Sequence, residues 1–128
     1  MTDRLLEAAR AVQGRAYAPY SKYHVGAALE AEDGTVYAGC NIENVSYGLT
    51  ICAERSAVAV AVSAGARRFR RALVVSSSEP PAPPCGACRQ MLAEFGADLD
   101  IEAVGPASRS RWTLRELLPA AFGAEHVR

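Results

Sequence analysis

The sequence has no excess of either charge and no long apolar run, and each absence argues against a class of function. Its 14 lysines and arginines equal its 14 aspartates and glutamates, so the formal net charge is zero. A protein that follows a phosphate backbone usually carries a basic excess, which argues against a nucleic acid polymer as partner. No stretch reaches the roughly 18 apolar residues of a membrane span, and the first ten residues lack the apolar core of a signal peptide. We expect a cytoplasmic protein without a membrane partner.

Cysteine is scarce, and internal repeats, low-complexity segments and linkers are missing. Four cysteines in 128 residues are too few for a disulfide scaffold. A Cys-x-x-Cys pair at Cys85 and Cys88 indicates metal or redox chemistry instead. Half of the residues are apolar, which is enough for an ordinary hydrophobic core. We therefore expect one domain over residues 1–128.

Hydrophobic periodicity predicts helices that alternate with strands. Helices are predicted over residues 3–14, 50–64 and 89–95, with a helical turn over 114–118; strands are predicted over 25–32, 35–40, 71–77, 100–104 and 109–113. Thr2 or Asp3 is expected to cap the first helix, while Thr50 caps the second and Gly65 ends it. From this alternation alone we expect a mainly parallel sheet with helices on both faces.

Three cysteines fall at predicted helix starts, and a carboxylate accompanies one of them. Cys52 stands where free N–H groups and the helix dipole favour a thiolate, and Glu54 follows two residues later. Cys85 and Cys88 open a second helical pattern. Three thiolates from two helix starts predict a zinc site with one open position, which is typical of a catalytic centre.

Other interpretations of these cysteines stay open at this point. Cys-x-x-Cys alone fits a redox pair, and a cysteine at a helix start fits a nucleophile. Zinc is favoured because a third thiol is present and Glu54 is placed to serve a water at the metal without being a ligand. Cys40 is interpreted as a buried strand thiol, and His24 and His126 as surface residues.

Two arginines adjoin the cysteines in sequence. Three thiolates give a zinc site a net negative charge, which weakens its ability to acidify water. A guanidinium that donates to a ligand sulfur withdraws some of that charge. We favour this contact for Arg55, whereas for Arg89 a solvated helix face is an equal alternative.

Asn41 and Glu43 end the second strand of the predicted hairpin. If the backbone stays extended there, residues two apart share a face. An amide beside a carboxylate suits sugar hydroxyls, but a polar strand end that leads into a turn explains the pair equally well.

Four segments together make the sequence similar to the small, homotetrameric, zinc-dependent cytidine deaminases. They are YAPYSK at residues 17–22, GCNIEN at 39–44, CAER at 52–55 and PCGACRQ at 84–90, and the likeness continues to LLPAAF at 117–122. The resemblance implies an α/β fold, a three-layer α/β/α sandwich on a five-stranded mixed sheet. It also implies the hydrolytic deamination of cytidine and 2′-deoxycytidine to the uridine forms, with release of ammonia, in pyrimidine salvage.

The resemblance assigns the metal site and the proton transfer to particular residues. Cys52, Cys85 and Cys88 match the family's zinc ligands, with one zinc ion per subunit, and Glu54 matches its proton shuttle. The backbone at Ala53 and Cys85 is expected to read the edge of the pyrimidine.

The resemblance also implies which residues bind the nucleoside. Asn41 and Glu43 match residues that hold the ribose near its 3′-hydroxyl, which favours the sugar-binding interpretation of this pair. Tyr23 stands where the family usually has a phenylalanine against the base. Tyr47 and Phe122 resemble positions that reach a neighbouring subunit's site, so that active sites of a homotetramer are shared.

Two rival functions accompany this expectation. One is a deaminase of another aminopyrimidine nucleoside, such as blasticidin S. The other is a non-catalytic, zinc-stabilised binding protein on the same fold, which would have little reason to keep Glu54 beside an open zinc position.

Overall fold

A computed structural model of the chain describes residues 3–127. The strands are β1 (Gly26–Ala31), β2 (Val36–Cys40), β3 (Phe69–Val75), β4 (Asp100–Val104) and β5 (Arg109–Thr113); the helices are α1 (Arg4–Gln13), α2 (Ala53–Ser63), α3 (Gly86–Ala93) and α4 (Leu114–Leu117). Short 3₁₀ helices lie at Tyr47–Leu49 and Ala124–His126. None of the helices in this part of the chain has the length and apolar character needed to cross a membrane.

The five strands form one mixed sheet in the order β2-β1-β3-β4-β5. Within the described residues only β3 and β4 pair in parallel, whereas the other three neighbouring pairs are antiparallel. The prediction of a mainly parallel sheet from alternation is therefore wrong. The reason is that β1 runs against both its hairpin partner and β3, and that a short turn joins β4 directly to β5.

Helices cover both faces of the sheet, as the three-layer sandwich requires. Because side chains alternate along a strand, the central strands β1, β3 and β4 supply both cores. The core beneath α1 contains Leu5, Ala9, Ala28, Leu73, Val75 and Val104. The core beneath α2 and α3 includes Ala27, Leu29, Ala57, Ala72, Val74, Leu92 and Ile101.

Two glycines allow helices to lie directly against the strands. A Cβ at Gly39 in β2 would lie 2.4 Å from the backbone nitrogen of Ala57 in α2. A Cβ at Gly26 in β1 would lie 2.0 Å from the carbonyl oxygen of Ala9 in α1. Each position requires glycine because no larger residue fits the space.

The start of α1 and the end of α2 follow recognisable sequence signals. The Asp3 carboxylate accepts a hydrogen bond from the Leu6 backbone N–H at 3.2 Å and so caps α1. Thr2, the alternative cap, lies outside the described residues. Gly65 follows α2 with φ of +102°, a left-handed conformation that favours glycine.

Candidate active site

Cys52 caps α2 instead of lying in its first turn. Ile51 pairs with Ile42 through two backbone hydrogen bonds of 2.9 Å, which keep the chain extended up to Cys52. The helix therefore begins at Ala53, and the prediction of Thr50 as its cap is wrong. The Cys52 side chain makes no capping hydrogen bond, so its sulfur is available at the helix start.

Cys85 and Cys88 come from the start of α3, as predicted, although the helix begins at Gly86, three residues before the predicted range. Cys85 is the N-cap, and Cys88 is fully buried in the first turn. The Cys85 sulfur lies 3.8 Å from that of Cys52 and 3.4 Å from that of Cys88, and all three sulfurs lie within 4.8 Å of one another. A tetrahedral zinc centre with Zn–S bonds of about 2.3 Å separates its sulfurs by about 3.8 Å. The spacing of the cluster fits zinc.

The ionisation of the thiols also fits a cation. Pairing with the Cys88 thiol lowers the pKa of Cys52 to about 5. The same pairing, together with burial, raises the pKa of Cys88. Without a cation Cys52 and Cys88 therefore do not ionise together, whereas a coordinating metal deprotonates its thiol ligands outright. An all-sulfur donor set is among those zinc prefers.

Glu54 is the second residue of α2 and is almost completely enclosed. Its exposed fraction is 6%. Burial raises the pKa of its carboxyl to about 7, and the neighbouring charge of Cys52 adds to this rise. A cation held by the sulfurs would offset part of the rise, because positive charge favours the ionised carboxylate. A carboxyl that titrates near neutrality can both accept and deliver a proton at working pH.

Arg55 faces the cysteine cluster. Its Nη2 donates to the Thr50 carbonyl oxygen at 3.0 Å. The sulfurs of Cys52 and Cys88 raise the pKa of its guanidinium. Its Nε is buried and has no hydrogen-bond partner within the described residues, so one donor stays available beside the cluster.

The contacts of Arg89 match neither of the two interpretations drawn from the sequence, a donor to a ligand sulfur or a solvated helix face. Its Nε donates to the Pro84 carbonyl oxygen at 2.7 Å, and its Nη1 donates to the Leu117 carbonyl oxygen at 2.7 Å. The guanidinium is thus bound to backbone instead of lying on a solvated helix face or donating to a ligand sulfur.

Asn41 and Glu43 both contact the loop that precedes β1, as expected for residues two apart on an extended chain. The Asn41 Oδ1 accepts from the Val25 N–H at 2.9 Å, and its Nδ2 donates to the Tyr23 carbonyl oxygen at 2.7 Å. The Glu43 Oε1 accepts from the N–H groups of Tyr20 and Ser21 at 2.9 and 3.1 Å. These hydrogen bonds fix the loop relative to the segment that leads to the cluster.

Ser21 is a contact residue that sequence reasoning did not single out. Its hydroxyl donates to the Glu43 carboxylate and accepts from the Tyr23 N–H at 3.0 Å. The hydrogen bond from Ser21 is the main reason that the pKa of Glu43 is lowered, which keeps this carboxylate an ionised acceptor. The available signal was a single serine, whose hydroxyl can both donate and accept, in a loop otherwise rich in tyrosine.

The predicted aromatic residues lie on the surface. Tyr47 is 75% exposed and meets Tyr20 edge to face, with ring centroids 6.1 Å apart. Phe122 is 61% exposed and stacks on His126 at 5.5 Å. Tyr23 is also exposed. Large apolar surfaces thus remain uncovered within this single chain.

The weaker ligand candidates do not join the cluster. Within residues 3–127 the group that can hold a metal consists of the three cysteines alone. Cys40 ends β2 opposite Gly26, and the His126 Nδ1 accepts from the Gly123 N–H. The metal site therefore has three side-chain ligands, which leaves a fourth position open on a tetrahedral ion.

An α/β/α sandwich with a three-cysteine zinc centre and a buried glutamate beside one ligand defines the class of zinc-dependent deaminases. The family described as "Cytidine and deoxycytidylate deaminase zinc-binding region" matches residues 1–101. The cytidine deaminase of Sporosarcina psychrophila is 46% identical over 98% of this chain and 93% of that protein; that of Halalkalibacterium halodurans is 48% identical over 98% of each. The crystal structure of cytidine deaminase from Burkholderia pseudomallei has a TM-score of 0.90 at 46% identity, covering 95% of this chain and 100% of that chain.

The chain belongs to the cytidine deaminase family, and its cofactor is zinc. The structural similarity confirms the three-layer fold that the sequence resemblance implied.

Proposed function

We propose that the protein hydrolyses cytidine and 2′-deoxycytidine to uridine and 2′-deoxyuridine with release of ammonia, in pyrimidine salvage. The observation that carries this proposal is the buried Glu54 carboxyl next to a three-sulfur centre, in a member of the cytidine deaminase family. Such a pairing supplies a proton carrier beside a Lewis acid, which is what the hydrolysis of an amino-substituted ring requires.

Cys52, Cys85 and Cys88 would hold one zinc ion per subunit. When bound, zinc supplies Lewis acidity that lowers the pKa of a water molecule towards neutrality. The positive ends of α2 and α3 face the three thiolates and offset part of their charge. Arg55, with its guanidinium beside the sulfurs, offsets more of it.

Glu54 carries the protons in this proposal. Its carboxylate accepts a proton from water as the water oxygen bonds to C4 of cytosine, and it delivers that proton to N3 of the ring. The carboxylate then takes the proton of the new C4 hydroxyl and delivers it to the amino group; the C4=O bond forms, the C4–N bond breaks, and ammonia leaves. One group can serve both steps because each transfer that it makes returns it to the carboxylate form, ready to accept the next proton.

The nucleoside would lie between the cluster and the loop that precedes β1. Asn41 and Glu43 hold the ribose near its 3′-hydroxyl, and Tyr23 packs against the base. The backbone at Ala53 and Cys85 reads the pyrimidine edge. In support, Asn41 already fixes the backbone at Tyr23, so the proposed sugar and base contacts belong to one hydrogen-bonded unit.

The active unit is a homotetramer in this proposal, with Tyr47 and Phe122 reaching a neighbouring subunit's site. The large exposure of both side chains supports this, as does the exposure of Val45 and Leu49 near Tyr47. Such side chains usually become covered when copies associate. Sedimentation velocity tests it, and a fully active monomer would contradict it.

Residues 1–128 would act as one deaminase domain on a small-molecule nucleoside, without a nucleic acid polymer or membrane as partner. The single sheet that contains all five described strands supports one domain. A cytoplasmic location is favoured by the chemistry of the site, because its free cysteines must stay reduced to bind metal.

Ultraviolet-monitored hydrolysis by zinc-loaded protein tests the function. Cytidine and deoxycytidine should lose the cytosine absorbance and release ammonia, while a cytosine within an oligonucleotide should not react. Turnover of blasticidin S, but of neither cytidine nor deoxycytidine, would indicate that the substrate is another aminopyrimidine nucleoside. No turnover of any nucleoside at full zinc content would favour the non-catalytic binding protein.

A further inference from the structure

The Arg89 side chain joins two parts of the chain that are 33 positions apart, Pro84 and Leu117. Its guanidinium donates to both backbone carbonyl oxygens at 2.7 Å, which is the short distance of a charge-assisted hydrogen bond. Arg89 is itself partly buried. This arrangement places a fixed, forked donor between the metal-ligand helix and the end of α4.

The first of these contacts acts on the turn that presents a metal ligand. Pro84 is fully buried and directly precedes Cys85, the N-cap of α3. The Arg89 backbone N–H also donates to the Cys85 carbonyl oxygen, at 3.0 Å. The backbone and side chain of Arg89 thus hold the two peptide groups on either side of Cys85, and they fix the direction of its Cα–Cβ bond.

The second contact acts on the C-terminal segment, defined here as residues 117–122. The last carbonyl groups of a helix have no partner within it, and Arg89 supplies one for Leu117 at the end of α4. The next residue of α3, Gln90, donates its Nε2 to the Phe122 carbonyl oxygen at 2.9 Å. Both ends of the C-terminal segment are therefore held by adjacent residues of α3.

We propose that Arg89 is a positioning residue that links the zinc site to the C-terminal segment. It sets the orientation of Cys85 for the metal and, through the same guanidinium, holds the segment that presents Phe122. Zinc binding and order in the C-terminal segment consequently stabilise each other. The proposal rests on the zinc ligands of the proposed function but not on its substrate.

Metal exchange tests the first half of the proposal. Partners of metal ligands typically contribute about 10–100-fold to metal affinity or activity. Arg89→Ala should therefore release zinc to a chelator about 10–100-fold faster than the wild type, and the absorption bands of its cobalt-substituted form should shift. Arg89→Lys, with a single ammonium in place of the fork, should fall between the two. Arg115→Ala is the matched control, because Arg115 lies on α4 and its described ion pair is with exposed Asp98 in the turn before β4.

Hydrogen exchange tests the second half of the proposal, and its first comparison uses the wild-type protein alone. Removal of zinc from the wild-type protein should speed amide exchange in the C-terminal segment. In Arg89→Ala that exchange should already be fast with zinc bound and should respond little to its removal. Gln90→Ala should loosen the segment near Phe122 without changing zinc release, because the side-chain hydrogen bond of Gln90 goes to Phe122 instead of to the Pro84 turn.

The outcomes separate this proposal from the proposed function. Wild-type rates of zinc release and an unshifted cobalt spectrum in Arg89→Ala and Arg89→Lys would overturn the role at Cys85. Exchange in the C-terminal segment that ignores zinc in the wild type would overturn the coupling, and this result stands even if Arg89→Ala does not fold. A wild-type protein that binds less than one zinc per chain would instead refute the ligand assignment. A wild-type protein that exchanges zinc normally but does not turn over cytidine would bear on the substrate alone.

Discussion

Replacing Gly39 with alanine tests how closely α2 must approach the sheet to hold the metal site. The added Cβ would lie 2.4 Å from the Ala57 backbone nitrogen and 2.7 Å from the Ser56 carbonyl carbon. Both are backbone atoms of α2, so no side-chain rotation relieves the overlap. The helix must move away from β2, and it carries Cys52 and Glu54 at its start.

The structure sets the size of the expected effect. Overpacking a well-packed core costs about 1–3 kcal/mol, and overlap with backbone atoms places this substitution at the upper end of that range. A loss of about 2–3 kcal/mol corresponds to a melting temperature lower by on the order of 10 °C for a chain of this length. Zinc release should also be faster, because Cys52 moves with α2.

Two other glycines supply matched controls. Gly48 has no heavy atom within 4 Å of the added Cβ, so Gly48→Ala should keep wild-type stability. Gly26→Ala, with an overlap on the opposite face of the sheet, should lower stability without changing zinc release from the folded protein. Urea unfolding and chelator-monitored release should be compared at one protein concentration. Gly39→Ala with wild-type stability and zinc release would refute the reasoning.

Three further predictions concern the ligands, the loop and the first helix. Cys85→Ala should lose zinc, and full zinc content after dialysis would remove Cys85 from the ligand set. Ser21→Ala should raise KM for cytidine several-fold with little change in kcat, since Glu43 loses its hydroxyl donor, and Ser21→Thr should restore it; a change in kcat alone would contradict this. In the wild type, the ion pair with Arg109 lowers the pKa of Asp3. Asp3→Asn keeps a capping side chain but loses this ion pair, so near neutral pH the variant should be less stable than the wild type by under about 1 kcal/mol. That difference should shrink as the pH falls below 3.8, the unperturbed value, and vanish once the pH is below the lowered pKa of folded Asp3; a difference that persists there would exclude the ion pair as its cause.

Local signals made much of the fold predictable. The bounds of β4 and β5 agree with the sequence prediction, because each strand lies between segments that cannot continue it. Gly34 and Gly65 adopt positive φ where the hairpin turn and the end of α2 were expected. The three-cysteine cluster was also predictable, since thiols at helix starts have few other common uses than metal binding, catalysis or redox chemistry.

Contacts between distant residues decided what sequence reasoning missed. The start of α2 depends on the pairing of Ile51 with Ile42, which keeps Thr50 out of the capping position. Strand direction depends on β1 lying between β2 and β3, which alternation of helices and strands does not reveal. The partners of Arg89 include a carbonyl group 28 residues away, and no local pattern encodes such a contact.

The most direct test compares zinc-loaded Glu54→Gln with the wild type, with zinc content and cytidine turnover measured on the same samples. Glutamine keeps the size of the buried side chain but cannot accept and deliver the proton. General acid–base transfer is typically worth about 10²–10⁴ in rate, so we expect turnover to fall by about that factor while zinc stays at one ion per chain. Wild-type turnover in the zinc-loaded variant would contradict the assignment of Glu54 as the proton carrier.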